Sequence, residues 1–594
     1  MDQNITVKGG EFLVKETQPE HIFIPEELNE EQKMIGQTCN DFLETEVFPN
    51  LDRIDEHEEG LMRQLLSKTG ELGLLAISIP EEYGGFGQSF LTSMYASEVL
   101  GAGFSYAVAY SCHTGIGTLP ILYYGNAEQK QKYIPRLASG EIIGAYCLTE
   151  PGAGSDANAG TSKATLSADG KHYILNGQKM WITNAGYADV FTVFAKIDND
   201  RVQSAFIVER TFPGITFNPE EKKMGIKGSS TRQIFFNDCM VPAENLLGKR
   251  GEGFRIALNI LHMGRIKLGA NVIGAAKKAI DYSVRYANER KQFNCLISSF
   301  GAIKYKLAEQ VIRTFMTESA VYRASKDIDE AIKNYVSKGE DKGRDTMEAF
   351  NQFAIESAAM KVFASEMLDY VVDEAVQIHG GMGYSSEMPV DRAYRDSRIN
   401  RIFEGTNEIN RILVADTVLK RAARKEIPVM EEAQKALDEI PGLKSVDMKG
   451  QDYFSVKGTN IRNFKKAALI LLKSVSDKFT KTLVLEQEIL NNISDVIMLL
   501  YAAESAMLRL QKMEKIKNPE SVKIYRDILD VFVFDAASSI RKFGLDTIYS
   551  FTFGDMKDLL VKGIEYYTRV DAVNVRDARR RIADLLISEN RYCF

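Results

Sequence analysis

The sequence predicts an α+β protein that is mostly α, with an N-terminal helical domain, a central β-barrel or sandwich domain, a four-helix bundle and an additional C-terminal helical domain. Three observations carry this. Apolar residues recur at helical spacing up to about residue 140 and again from Gly253 onward, strand-like alternation is confined to the stretch between, and a proline-bounded charged segment precedes a second helical region. The expected boundaries are 1–144, 145–252, 253–425, a linker over 426–457, and an extension over 458–594.

In the first domain Met34, Ile35, Cys39, Phe42, Leu43 and Val47 mark one helix face, and the glycines of Tyr83-Gly-Gly-Phe-Gly87 separate helices. The central domain opens at Ala145, where a strand-like start runs into Thr149-Glu-Pro-Gly-Ala-Gly-Ser155. Strand patterns follow at 172–176, 179–183, 190–195, 204–208 and 233–237, with Asn-Gly and Asp-Gly turn signals between some of them. Helical periods at about 253–290, 298–326, 346–380 and 407–425 predict the bundle. Pro428 and Pro441 enclose the charged linker, and helices are expected within 461–473, 486–513 and 571–589.

At 594 residues, with 45% apolar and 26% charged residues, the chain has the composition of a soluble globular protein of roughly three to five domains. A net charge of −7 spread along the chain excludes a general nucleic-acid surface. The six cysteines show no CxxC pair and no metal-ligand spacing, which implies reduced thiols and no metal site. Residues Met1 to Gly10 lack a basic head followed by an apolar core, and no apolar run reaches the ~18 to 20 residues of a membrane span. A soluble, cytoplasmic protein is expected.

Arg401-Ile-Phe-Glu-Gly-Thr-Asn-Glu-Ile-Asn-Arg-Ile-Leu-Val414 places a carboxylate, Glu404, beside a glycine at the start of a helix-like run. Such a pair suits proton abstraction next to a carbonyl, because no Cβ blocks approach to the following amide. The plainer reading is a solvated glutamate before a helix capped by Thr406 or Asn407. The loop Tyr146 to Ser155 offers many donors and little bulk, as for a flat, heteroatom-rich ring, yet it also reads as a tight turn. Trp181, the sole tryptophan, reads by itself as core. Arg290 and Gln292 suit a pyrophosphate or a solvated helix end. Gln377-Ile-His-Gly-Gly381 invites close backbone approach, but it lies between helices and is no dinucleotide-binding fingerprint.

Taken in order, Cys147-Leu-Thr-Glu-Pro-Gly-Ala-Gly-Ser-Asp156, Gln178-Lys-Met-Trp-Ile-Thr-Asn184, Gly228-Ser-Ser-Thr231, Gln377-Ile-His-Gly-Gly-Met-Gly383 and Arg401-Ile-Phe-Glu-Gly-Thr-Asn407 resemble the acyl-CoA dehydrogenase family. The resemblance covers about residues 30 to 420. It implies FAD between the β-domain and the bundle, contacted by Tyr146, Leu148, Thr149, Gly154, Ser155, Trp181, Ile182 and Thr183, with Thr406, Asn407 and Glu408 completing the site. It implies that Arg290, Gln292, Phe293, Gln377, Ile378, Gly380 and Gly381 reach the FAD of a neighbouring subunit, and that Ser155, Arg265 and Gly405 meet the acyl-CoA. Glu404 is implied as the base that takes the proton beside the thioester carbonyl while a hydride leaves the next carbon for the flavin. The carbonyl oxygen is then held by the Glu404 amide and a ribityl hydroxyl. Burial is expected to raise the Glu404 pKa from ~4.3 toward ~6 to 7.

Some relatives carry the base immediately before the arginine matching Arg265, where this chain has Gly264. The segment Leu261 to Arg265 and the helical tail resemble the very-long-chain type, which implies a homodimer, long-chain substrates in fatty-acid β-oxidation, and an electron-transfer flavoprotein as acceptor. Asn294 departs from the glycine usual after the Arg-x-x-Phe motif. An acyl-CoA oxidase and a non-enzymatic assembly or binding protein on the same scaffold are the alternative readings. Lys465-Lys466 beside Ala467 to Leu472 suggests either a weak membrane-surface contact or, in preference, a core-facing helix.

Overall fold

The computed structural model describes residues 8–444 and 450–594, so the first seven residues, on which the leader reading partly rests, and part of the linker lie outside it. The N-terminal region is helical, from Glu30–Phe42 through Ala127–Ala138. Two of its helices begin with reciprocal caps. Asn29 Oδ1 accepts from Gln32 N at 2.8 Å while Gln32 Oε1 accepts from Asn29 N at 3.0 Å, and Asn126 and Gln129 repeat the pattern.

The central domain holds β1 (Gly144–Cys147), β2 (Lys163–Leu166), β3 (His172–Thr183), β4 (Val190–Ile197), β5 (Ser204–Glu209), β6 (Ile215–Phe217), β7 (Thr231–Pro242) and β8 (Leu246–Leu247). Their order is β6-β7-β3-β2-β4-β5-β8, with β1 parallel to β4. The twelve-residue β3 and β7 pair antiparallel from His172↔Pro242 to Thr183↔Thr231, with irregularities at Gly177 and before Ile182. The second irregularity turns the end of β3, and Trp181 there has φ +60°.

Four helices form the bundle: Gly253–Glu289, Gly301–Val336, Ala354–His379 and Asn407–Ala423. The third is shorter than its periodicity suggests, because Phe353 leaves helical geometry and a separate Lys342–Gln352 helix precedes it. The N-terminal chain seats itself at this break. A Cβ on Gly9 would lie 2.0 Å from the Gln352 carbonyl oxygen, Gly10 N donates to Glu356 Oε1 at 2.6 Å, and Arg421 donates to the Gly9 and Asn351 carbonyls.

The stretch read as a linker contains a helix, Val429–Glu439, whose Val429, Ala433 and Ala436 are buried. Five helices follow, from Tyr453–Phe479 to Val575–Glu589, and they share one apolar core with the bundle. Buried charges tie the two together. Arg323 Nη1 lies 2.9 Å from Glu504, which also takes Lys465, and Arg509 reaches Glu318 and Glu26. This corrects the membrane-surface reading at Lys465-Lys466: Lys465 is spent on Glu504, Lys466 pairs with Glu439, and Ala467 to Leu472 are buried. Among the described residues no helix is long and apolar enough to cross a membrane.

Candidate active site

The chain enters the fourth bundle helix through Glu404 and Gly405, with φ +58° and +81°. Glycine adopts this conformation freely, whereas for a glutamate it costs about 1 to 3 kcal/mol and persists only if the surroundings hold it. Three side chains do so by donating to the carbonyls of the turn. Arg265 Nε reaches Glu404 O at 3.1 Å, Lys361 Nζ reaches Gly405 O at 2.8 Å, and Asn410 Nδ2 lies 3.4, 2.8 and 3.0 Å from the carbonyls of Glu404, Gly405 and Thr406. Thr406 then caps the helix, its hydroxyl accepting from Ile409 N at 3.3 Å. The backbone is thereby fixed while the Glu404 side chain is left free.

That side chain is half-buried, and its Oε2 has neither solvent contact nor a hydrogen-bond partner among the described residues. Burial pushes its pKa up to about 7, against the opposing pull of Arg265 and Lys361. Lys361 is pulled down to about 7 by the same burial, with Glu404 counteracting. His262 falls to about 3 through burial and the neighbouring Arg265, so it is neutral and its Nδ1 can accept from Arg265 Nη1 at 3.2 Å.

Glu404 lines a cavity of about 160 Å³, walled also by the first bundle helix from Ile260 and Gly264 to Tyr282, by Ala107, Ser111, Cys112 and Ile116, and by Leu368 and Val372. A Cβ added to Gly264 would lie 2.7 Å from Glu404 Oε2. The two positions address the same point in space, and a side chain at 264 excludes the present placement of the carboxylate.

Thr183 of β3 lines the same cavity. Met180 N donates to Thr149 O at 2.9 Å, which joins the loop after β1 to the end of β3. Tyr146, Leu148 and Ile182 are buried there, whereas Ser155, Gly154 and Trp181 are open, Trp181 with 52% of its surface exposed. Of the residues singled out from the sequence, Thr183 and Glu404 line the cavity itself, Arg265 joins it through Glu404 O, and the loop from Tyr146 to Ser155 is tied to the end of β3 that carries Trp181 to Thr183. Asn407 is buried, its side-chain amide taken by Lys361, Ser365 and Glu366, while Glu408 is exposed.

The remaining candidates form a second group. Tyr286 stacks on His379 with ring centroids 4.2 Å apart, which brings the Arg290–Phe293 turn to the Gln377–Gly381 turn. Arg290, Gln292, Phe293, Gln377, Gly380 and Gly381 are exposed, and Ile378 is buried. Gly264 and Arg290 are 26 positions apart at the two ends of this helical stretch, about 39 Å at 1.5 Å per residue. One chain does not bring the two groups together.

Four supporting residues were not singled out from the sequence. Lys361 and Asn410 hold the turn at Glu404, and His262 meets Arg265, which does the same. Lys179, fully buried, lies 2.7 Å from Glu150 Oε1 and donates to Leu148 O, while Glu150 also accepts from Thr161 and Ser162. Burial would raise the Glu150 pKa, but Lys179 and these donors hold it down at about 2. A lysine inside an apolar helical run, as at Ala358-Ala-Met-Lys-Val-Phe363, is the signal that points to such a group.

Acyl-CoA dehydrogenase models match this chain in four places: the N-terminal domain at residues 29–141, the middle domain at 145–239, and two C-terminal domain models at 251–419 and 463–565. A probable acyl-CoA dehydrogenase of Bacillus subtilis (strain 168) is 42% identical over 98% of both chains. The rat very long-chain specific mitochondrial acyl-CoA dehydrogenase is 40% identical over 66% of this chain and 58% of its own length. The crystal structure of an acyl-CoA dehydrogenase from Bacillus anthracis complexed with FAD superposes with a TM-score of 0.96 at 43% identity, covering 99% of this chain and 100% of that one. The chain belongs to the acyl-CoA dehydrogenase family.

Proposed function

We propose that this chain is an FAD-dependent dehydrogenase of long-chain acyl-CoA thioesters, forming trans-2-enoyl-CoA, with Glu404 as the base. The observation that carries this is the pairing of groups on one residue. Glu404 Oε2 is unpartnered and buried with a pKa near 7, while the Glu404 N–H has no acceptor among the described residues. A base tuned near neutrality beside a free, rigidly held amide matches what α-proton removal needs: an acceptor for the proton and a donor for the charge that develops on the carbonyl oxygen.

The loop after β1 and the end of β3 offer the open, uncrowded surface a flavin would need. A Cβ on Gly152 or Gly154 would meet nothing, and Trp181 is exposed on a strained backbone. Tyr146 to Ser155, Trp181 to Thr183 and the backbone of Thr406 to Glu408 would hold the cofactor. When bound, FAD supplies the acceptor for the hydride lost from the β-carbon. Glu404 takes the α-proton onto Oε2, Arg265 and Lys361 keep its backbone in place, and the apolar cavity walls exclude water and keep the carboxylate basic.

Long-chain preference is supported by the length of the cavity wall. From Gly264 to Tyr282 is 18 positions, about 27 Å of helix. The ~39 Å between Gly264 and Arg290 favours a homodimer in which Arg290, Gln292, Phe293 and Gln377 to Gly381 serve the partner's cofactor. An electron-transfer flavoprotein is the proposed acceptor. Purified protein should be yellow and bleach anaerobically with long-chain acyl-CoA, and Glu404→Gln should stay yellow without bleaching. A colourless holoprotein or a Glu404→Gln enzyme that turns over rejects the proposal, and stoichiometric peroxide in air assigns the electrons to oxygen instead.

A further inference from the structure

The acyl cavity is apolar along most of its wall, yet Lys267 and Asn271 break it one turn apart on the first bundle helix. Lys267 is 8% exposed, lines the cavity, and makes neither a hydrogen bond nor an ion pair among the described residues. Burial, with no counter-charge, lowers its pKa to about 8. Asn271 donates through Nδ2 to Ser111 Oγ at 2.8 Å, and its Oδ1 is buried without a partner. Whichever way the amide is turned, one of its polar atoms stays unpaired. Ser111 is already taken by Asn271, and Leu268, Val272, Ala275 and Leu368, which also line the cavity, offer nothing polar.

An unpaired ammonium and an unpaired amide in a wall of hydrocarbon are costly unless a ligand supplies the partner. A saturated acyl chain supplies none. A hydroxyl oxygen can accept from Lys267 Nζ, and a turn of the Asn271 amide toward the cavity would let its Oδ1 take the hydroxyl hydrogen. Lys267 is 3 positions and Asn271 7 positions beyond Gly264, about 5 and 11 Å along the helix, whereas the cavity continues to Tyr282. The oxygen would therefore sit part-way along the chain and not at its end.

We propose that Lys267 and Asn271 form a polar station in the acyl cavity that selects long-chain acyl thioesters bearing a hydroxyl on an interior carbon. This rests on the acyl-CoA reading above and adds the substrate class. A hydrogen bond to a charged donor in such a setting is worth about ten- to a hundredfold in affinity.

The test uses the holoenzyme and pairs of acyl-CoAs of equal length, plain and with a hydroxyl stepped carbon by carbon along the chain. The wild type should show a maximum in the kcat/KM ratio of hydroxylated to plain substrate at one interior position, about tenfold or more above neighbouring positions. Lys267→Met, which keeps the length of the side chain, should flatten that maximum, whatever happens to the plain substrate, and Asn271→Leu should lower it. Equilibrium binding of the same pairs to wild-type protein repeats the test if a variant does not fold. A wild-type ratio that is flat or falls at every position overturns the proposal, as does a maximum that survives Lys267→Met. Absence of turnover with any acyl-CoA instead rejects the parent reading.

Discussion

Replacing Glu404 by glutamine should abolish turnover and at the same time stabilise the protein, with a pH dependence that the burial of this carboxylate dictates. Its pKa rises from an ordinary 4.5 to about 7 in the folded chain. At about 1.4 kcal/mol per tenfold change in proton affinity, ionising it in place costs about 3 kcal/mol. The sign follows from proton uptake. Between pH 4.5 and 7 the unfolded chain releases the proton while the folded chain keeps it, so stability falls as pH rises through that window and levels off above it. Glutamine removes this loss. The expected gain is about 1 kcal/mol at pH 5.5 and about 3 kcal/mol at pH 8. Spread over the unfolding entropy of 594 residues, the latter raises the melting temperature by about 2 to 3 °C. Thermal melts of wild-type and Glu404→Gln holoproteins at the two pH values read this directly. A variant no more stable than wild type at pH 8, or a gain that grows toward acid pH, refutes the argument that burial tunes Glu404.

Further outcomes follow from the same geometry. The kcat/KM for acyl-CoA should climb through about pH 7 as Glu404 ionises, with a stopped-flow or steady-state pH profile as the measure. Gly264→Ala puts a Cβ 2.7 Å from Glu404 Oε2 and should slow anaerobic flavin bleaching about tenfold or more while leaving the flavin absorbance intact. Lys361→Met removes donors to Gly405 O and Asn407 Oδ1 and a positive charge beside Glu404; it should cost about 1 to 3 kcal/mol in denaturant unfolding and move the activity midpoint to higher pH. Lys179→Met leaves Glu150 buried without its cation and should cost about 3 to 5 kcal/mol, seen as a lowered melting temperature.

Much of the architecture was legible in the sequence because each region announces its period. The near-continuous apolar run at Val190–Ala195, buried throughout, and the helical stripe Ile256, Ile260, Met263 are local patterns that survive folding unchanged. Glu404 was legible because a glutamate before glycine at a helix start stands out within a known series of motifs. The break at Phe353 and the Val429–Glu439 helix were less so. The first depends on where the N-terminal glycines dock, and the second is a short amphipathic helix between prolines whose burial needs the extension as a partner.

The sequence by itself determined the order of the domains, the family motifs and which carboxylate is proposed as the base, since these depend on spacing along the chain. Tertiary structure alone decided the surroundings of that carboxylate. Arg265, Lys361 and Asn410 come from three bundle helices to hold one turn, and burial raises the pKa of the carboxylate there. Burial in the same cavity wall leaves Lys267 without a protein partner among the described residues. Burial and convergence are sums over residues distant in the chain, and no local pattern records them.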